Sequence, residues 1–314
     1  MSEKRKIGII GSGLIGQSWA MLFTSAGYNV VLYDVEQAQV KAAYNNIKIE
    51  LEKLEKNGIL RGKIGAKEQF NLIKGVTTLE EVVKDAILIQ ECIPEIITLK
   101  QELLNHIDKI VGPQTIISSS TSTFLPSDLS GKIQHRNQLI VAHPVNPPYF
   151  VPLVEIVPSE WTESWMIKKT REIMEEIGQS PVVLTREVPG FALNRIQYAI
   201  LNECWHLVKD GILNVKDIDT VMSEGLGMRY AFLGPLETTH LNAEGFENYV
   251  QRYSNSMYSV CQHFKPPPKF EGATVKEIAE QLNAMTPLEN LQKRRMWRDQ
   301  SLTKLSQLKR NNNY

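Results

Sequence analysis

A doubly wound α/β sheet followed by an all-α domain is the architecture this sequence predicts, and three observations predict it. Short β-branched runs alternate with helical stretches from Lys6 to about Glu187. Most of those runs are continuously apolar, as strands of a parallel sheet covered on both faces must be. Beyond Pro189-Gly190 the strand signals vanish and only helical patterns remain. Strands alternating with helices indicate a doubly wound sheet. A length of 314 residues suits about two domains, and the change of pattern places them at residues 1–187 and 188–314.

Taken in order, strands are expected over residues 7–10, 29–33, 87–91, 115–118, 139–142, 154–157 and 180–184. Helices are expected over 17–26, 35–58, 97–111 and 163–177. The second helix is longer than an ordinary crossover and implies a hairpin extension reaching Gly75. Its Glu50, Glu52, Lys53, Glu55 and Lys56 form a charged face, either an interaction surface or a solvated one. The second domain is expected to hold helices over 191–210, 217–224, 244–264, 274–283 and 288–309. Pro266-Pro267-Pro268 breaks one of them and makes a stiff connector.

Composition excludes several function classes. Thirty-five basic residues balance thirty-five acidic ones, so no global field recruits nucleic acid or an anionic membrane surface. No run approaches the roughly 20 apolar residues of a membrane span, and the charged start Met1-Ser2-Glu3-Lys4-Arg5-Lys6 is unlike a secretory leader. Cys92, Cys204 and Cys261 are too scattered for a disulfide framework or a metal cage. They read as buried thiols of a reducing compartment, and the cytoplasm is the expected location.

The strongest motif is Gly11-Ser12-Gly13-Leu14-Ile15-Gly16, a G-x-G-x-x-G directly after the first strand. Gly11 permits the tight turn, Gly13 lets backbone approach a pyrophosphate, and Gly16 lets the next helix pack close to the strand. Leu14 and Ile15 complete this loop, and the helix that follows offers free N–H groups to phosphate. Eighteen residues beyond Gly16 the second strand ends in Asp34. A carboxylate there accepts hydrogen bonds from an adenosine ribose and repels the extra phosphate of NADP; no Arg or Lys follows among Val35, Glu36 and Gln37. A Rossmann-type NAD site is therefore expected, with no metal.

Three later segments fall where strands end on the ligand-binding edge. Ser118-Ser119-Ser120-Thr121-Ser122-Thr123 is hydroxyl-rich and reads equally as a capped turn. His143-Pro144-Val145-Asn146-Pro147-Pro148 follows an apolar strand, with Glu155 twelve positions later on the next one. A histidine there, with a glutamate beside it, has the arrangement of an oriented base. Val188-Pro189-Gly190-Phe191-Ala192-Leu193-Asn194-Arg195 brings the amide of Asn194 to the domain junction.

With Ile89-Gln90-Glu91-Cys92-Ile93-Pro94-Glu95, Val141-Ala142-His143-Pro144-Val145-Asn146-Pro147-Pro148-Tyr149 and Gly225-Leu226-Gly227-Met228-Arg229-Tyr230-Ala231-Phe232-Leu233-Gly234-Pro235-Leu236-Glu237, these segments resemble the 3-hydroxyacyl-CoA dehydrogenase superfamily over nearly the whole chain. The resemblance implies His143 as catalytic base, Glu155 as the acid that orients it, and Ser122 and Asn194 as substrate-binding residues. Ser119 and Ser120 compete for the serine register. It also implies Glu95 and Lys100 beside the nicotinamide ribose, and a homodimer joined through the helical domain. Members act on acyl-CoA thioesters, free hydroxy acids and carnitine. Arg229 departs from the acyl-CoA pattern, and a guanidinium grips a free carboxylate bidentately. It is expected to anchor a small 3-hydroxy acid such as L-gulonate, or else to pair with Glu237 or Glu224. A 3-hydroxybutyryl-CoA dehydrogenase and an abundant structural protein of the lens are the alternative readings.

Overall fold

The computed structural model describes residues 5–311. It divides into two compact units, residues 1–195 and 196–314. The first holds an eight-stranded sheet of order β3-β2-β1-β4-β5-β6-β7-β8, made of β1 (Lys6–Ile10), β2 (Asn29–Tyr33), β3 (Ile73–Gly75), β4 (Ala86–Glu91), β5 (Ile116–Ser119), β6 (Leu139–Pro144), β7 (Leu153–Pro158) and β8 (Ser180–Val183). The first six strands run parallel. β7 is antiparallel to β6, and β8 follows β7. Strand order reverses beside β1, and ligands of such sheets bind at the carboxyl ends of the strands around that point.

Each strand feeds two cores with alternate residues, because side chains switch faces every residue. One core takes Leu88, Ile116, Ile140, Ala142, Val154 and Ile156. It packs them against α1 (Leu14–Ser25), α2 (Gln37–Lys56) and α7 (Ser164–Glu176). The other takes Ile89, Ile117, Leu139, Val141 and Val157 against α4 (Leu79–Val83), α5 (Ile97–Asp108) and α6 (Pro126–Ser130). The same period of two carries Glu91, Ser119, His143 and Glu155 to this second face, and Gln90 and Ser118 to the first.

Strand β3 and the short helix α3 (Ala66–Asn71) occupy what the sequence suggested was a hairpin extension. α2 stops at Asn57, Gly58 turns the chain at φ +67°, and β3 returns as an edge strand on β2. Three residues are too few to show a period, so the strand was not legible. Val40, Ala43, Ile47, Leu51 and Leu54 bury one stripe of α2, while Glu52, Lys53, Glu55 and Lys56 are exposed.

The second unit is all helical: α8 (Leu193–Lys209), which begins within the first unit, then α9 (Val215–Thr220), α10 (Gly227–Tyr230), α11 (Pro235–Leu241), α12 (Phe246–Cys261), α13 (Ala273–Met285) and α14 (Leu291–Asn311). Val208, Val215 and Ile218 form its small core. The helix expected over 217–224 is α9 followed by a π-helical turn over Val221–Leu226, and α10 and α11 occupy a stretch with no expected helix, where Gly225, Gly227 and Pro235 mask the pattern. By its internal contacts the first compact unit runs on through Arg195. Phe191 is fully buried in the first unit's core, and the Ala192 and Leu193 amides bond to Glu155, so residues 188–195 stay with the sheet. The cysteines are free, but Cys261 is exposed rather than buried, on an α12 face with no covering element. No helix among the described residues is long and apolar enough to cross a membrane.

Candidate active site

The dinucleotide loop leaves the carboxyl end of β1. Gly11 has φ +101°, and a Cβ on it would lie 2.6 Å from the Cys92 carbonyl oxygen. A Cβ on Gly16 would sit 1.9 Å from the Gly11 carbonyl oxygen, so loop and helix meet at a distance only glycine allows. Gly13 differs: nothing lies within 4 Å of its missing Cβ. That open space stands at the amino end of α1, where no side chain caps the first amides. A cradle of uncapped N–H groups beside vacant volume fits a pyrophosphate, which Gly13, Leu14, Ile15 and Gly16 would hold, while Gly11, its own amide bonded to the Tyr33 carbonyl, shapes the turn. At the end of β2, Asp34 Oδ2 accepts from both the Ser12 amide and the Ser12 hydroxyl, each at 2.8 Å. Oδ1 accepts from the Glu36 amide at 3.2 Å.

Antiparallel pairing of β6 with β7 sets His143 opposite Glu155. His143 Nδ1 lies 2.8 Å from Glu155 Oε2, with Glu155 fully buried and His143 6% exposed. The other carboxylate oxygen accepts from the amides of Ala192 and Leu193, both at 2.8 Å. Those amides arrive by a sharp turn in which Gly190 has φ +76° and Phe191 φ +50°. A bulky residue held at positive φ is strained; here full burial of its ring, 5.7 Å from the imidazole centroid, holds it. Burial pushes the Glu155 carboxyl up, but the bonds from His143, Leu193 and Ala192 outweigh it and leave the pKa below the usual carboxylate range. An anionic Glu155 accepts a hydrogen bond from Nδ1–H, which leaves Nε2 as the basic nitrogen. Nε2 has no hydrogen-bond partner among the described residues.

The hydroxyl segment after β5 sorts its three serines. Ser119 Oγ donates to Glu91 at 2.5 Å, fully buried. Ser120 Oγ accepts from Trp19 Nε1 at 3.1 Å and Gln90 Nε2 at 2.7 Å, and lies 3.3 Å from Cys92 Sγ. Ser122 is only half-buried, its amide and hydroxyl 2.9 and 3.3 Å from Glu95 Oε1. Of the three, only its hydroxyl lacks a buried partner. Asn194 Nδ2 donates to the Ser122 carbonyl at 2.8 Å, leaving one amide proton for another acceptor.

Glu95 grips this segment and is itself held from behind. Its Oε1 also accepts from the Thr121 and Thr123 hydroxyls at 2.5 and 3.1 Å. Its Oε2 is 3.3 Å from Lys100 Nζ. Burial raises the Glu95 pKa, but the Thr121 bond, the Lys100 charge and the Ser122 and Thr123 bonds together outweigh it, for a net depression. Lys100 is 1% exposed and lies 2.7 Å from Glu91, which is fully buried. Glu91 is a residue the sequence reading passed over. Its signal was a carboxylate closing an apolar strand, four residues before Glu95 and nine before Lys100. Ser12 was passed over too, being one of the unassigned positions of the glycine motif.

Within the first unit two sets of contacts form at this edge: His143 with Glu155 and the Ala192 and Leu193 amides, and Asn194 with the Ser122 carbonyl, whose residue bonds to Glu95, itself ion-paired with Lys100. Arg229 is exposed on α10 of the second unit and pairs with neither Glu237 nor Glu224 among the described residues. No cluster of His, Cys, Asp or Glu among the described residues is arranged to hold a metal.

Residues 6–188 match the family described as 3-hydroxyacyl-CoA dehydrogenase, NAD binding domain, and residues 190–281 its C-terminal domain. The chain belongs to the 3-hydroxyacyl-CoA dehydrogenase family. Among members of that family, the lambda-crystallin homolog of Mus musculus is 51% identical over 96% of this chain and 95% of its own length. The L-carnitine dehydrogenase of Oceanobacillus iheyensis is 37% identical over 76% of each. A solved NAD+-dependent 5-formyl-3-hydroxy-2-methylpyridine-4-carboxylic acid 5-dehydrogenase superimposes with TM-score 0.83 and 25% identity, covering 98% of both chains. The dinucleotide of this dehydrogenase is NAD.

Proposed function

We propose that this NAD-dependent dehydrogenase oxidises the hydroxyl-bearing carbon of a small 3-hydroxy acid, L-gulonate foremost, to 3-dehydro-L-gulonate. The observation that carries the reading is the buried His143–Glu155 pair, whose carboxylate is fully engaged and whose Nε2 is left basic. Bound NAD supplies the hydride acceptor. His143 Nε2 takes the proton of the substrate hydroxyl. Glu155 keeps the imidazole in the accepting tautomer and stabilises the imidazolium that forms. Ser122 and the second amide proton of Asn194 hydrogen-bond the same oxygen as its charge changes. Glu95 and Lys100 hold the Ser122 segment and border the nicotinamide ribose.

Arg229 supports a free acid over a thioester. It has no ion-pair partner among the described residues, and a guanidinium is suited to grip a carboxylate. Carnitine is also a 3-hydroxy acid, and relatives carry the name L-carnitine dehydrogenase. Turnover should be measured with L-gulonate, L-carnitine and 3-hydroxybutyryl-CoA, each with NAD and NADP. Gulonate with NAD should be fastest, and Arg229→Met should raise its KM about tenfold or more. Preference for the CoA ester, or an unchanged KM in Arg229→Met, refutes the free-acid reading.

The reading includes a cytoplasmic homodimer. Three free cysteines suit a reducing compartment. On α12, Tyr253, Met257 and Val260 expose one apolar stripe at helical spacing, the kind of surface a second copy covers. Sedimentation at micromolar concentration should give about twice the chain mass. The lambda-crystallin relatives also raise a structural lens role; the intact His143–Glu155 pair favours an enzyme.

A further inference from the structure

The two hydrogen bonds from Ser12 to Asp34 lie outside the catalytic residues. Ser12 is 2% exposed and sits between two glycines of the cofactor loop. Its amide and its hydroxyl reach the same oxygen, Asp34 Oδ2, each at 2.8 Å. The loop is held to the second strand as well, because the Gly11 amide donates to the Tyr33 carbonyl at 2.9 Å. Asp34 is therefore fastened to the phosphate loop itself, with only the 3.2 Å bond from Glu36 on its other oxygen.

From this we propose that Ser12 is a specificity-determining residue, acting through Asp34, that fixes the carboxylate so that an unphosphorylated adenosine ribose is accepted and a 2′-phosphate refused. The inference rests on the family's use of NAD at this loop. A carboxylate free to swing gives way to a phosphate; one fastened by two charge-assisted hydrogen bonds stays in its path. The segment that follows Asp34 offers the phosphate no cation in exchange. Glu36 is acidic, and the first cation after Asp34 is Lys41, seven residues on along α2. The Ser12 hydroxyl has two lone pairs besides its donated proton, so it is able to accept from the ribose while it holds Asp34. Ser12 thereby ties the pyrophosphate and ribose sites together.

Dissociation constants for NADH and NADPH, read from nucleotide fluorescence without turnover, test the proposal. In Ser12→Ala the amide bond to Asp34 survives and the hydroxyl bond is lost. A hydrogen bond to a charged group at a part-exposed site is worth a moderate factor. NADH affinity should fall by about three- to tenfold, while NADPH affinity holds or rises, so the NADH:NADPH preference narrows. Ser12→Thr keeps the hydroxyl and should retain at least half of the wild-type preference. Because Ser12 acts through Asp34, adding Ser12→Ala to Asp34→Ala should leave the preference of Asp34→Ala unchanged within about twofold. A preference in Ser12→Ala equal to wild type, even with both affinities lowered, overturns the proposal. So does a further narrowing in the double variant. A wild type that bound neither nucleotide would instead contradict the NAD site itself, a separate outcome from either of these.

Discussion

Replacing Glu155 by Gln removes one charge and keeps the shape, and the surroundings of the carboxylate allow its effect to be worked out. Three donors converge on Glu155: the imidazole Nδ1–H on Oε2, and the amides of Ala192 and Leu193 on Oε1. A glutamine has one acceptor oxygen and one donor group. If the oxygen faces the two amides, its NH2 faces Nδ1, which must then lose its proton to Nε2, and the base disappears. If the oxygen faces the imidazole, two buried amides meet a donor, at about 1–3 kcal/mol for each unsatisfied group. The first arrangement is therefore favoured, and catalysis fails through the wrong tautomer. A positioned proton transfer contributes about 10²–10⁴ in rate, and the equivalent acid-to-amide change in a Ser-His-Asp protease lowers kcat about 10⁴-fold. Turnover of Glu155→Gln with saturating NAD should fall by about 10²–10⁴, with NADH affinity unchanged by fluorescence titration. A variant within tenfold of wild type between pH 7 and 9 would refute the orientation mechanism.

Other consequences follow from the same geometry. Gly13→Ala meets no atom within 4 Å and should leave the Tm unchanged while weakening NADH at least tenfold; Gly16→Ala, with 1.9 Å to the Gly11 carbonyl, should lower stability as well. Thermal melts with and without NADH separate the two. Lys100→Met leaves Glu91 buried without its cation, a change worth about 3–5 kcal/mol in urea denaturation, and adding Glu91→Gln should recover most of that loss. The depressed pKa values of Glu155 and Glu95 mean that their contributions to stability are complete above the unfolded carboxyl value of about 4.3. Both are lost as pH falls through the folded values. The Tm should thus drop steeply below about pH 4.5, less steeply in Glu155→Gln, by calorimetry across pH 3–7.

Much of this molecule was legible before its coordinates. G-x-G-x-x-G needs only a strand before it and a helix after it, because each glycine answers a local steric demand; Gly11 and Gly16 meet backbone where a Cβ would collide. The apolar runs marked seven of the eight strands, since a strand covered on both faces has no polar alternation to conceal it. His143 and Glu155 were paired on paper because β6 and β7 are neighbours in sequence and in the sheet.

Relations between distant segments depended on the fold. Ser119, Ser120 and Ser122 are equivalent in sequence, and only packing against Glu91, Trp19 and Glu95 separates the two structural hydroxyls from the one left half-buried. Glu91 reads as an ordinary strand-terminal acid until α5 lays Lys100 across it. The amides that saturate Glu155 come from 37 and 38 residues away, delivered by a strained turn that no local pattern predicts. The sequence by itself therefore determined the cofactor loop, seven of the eight strands and the pairing of His143 with Glu155. Which hydroxyl stays available, and what holds each charged group in place, was decided by tertiary contacts, because hydrogen-bond partners are set by proximity in space rather than along the chain.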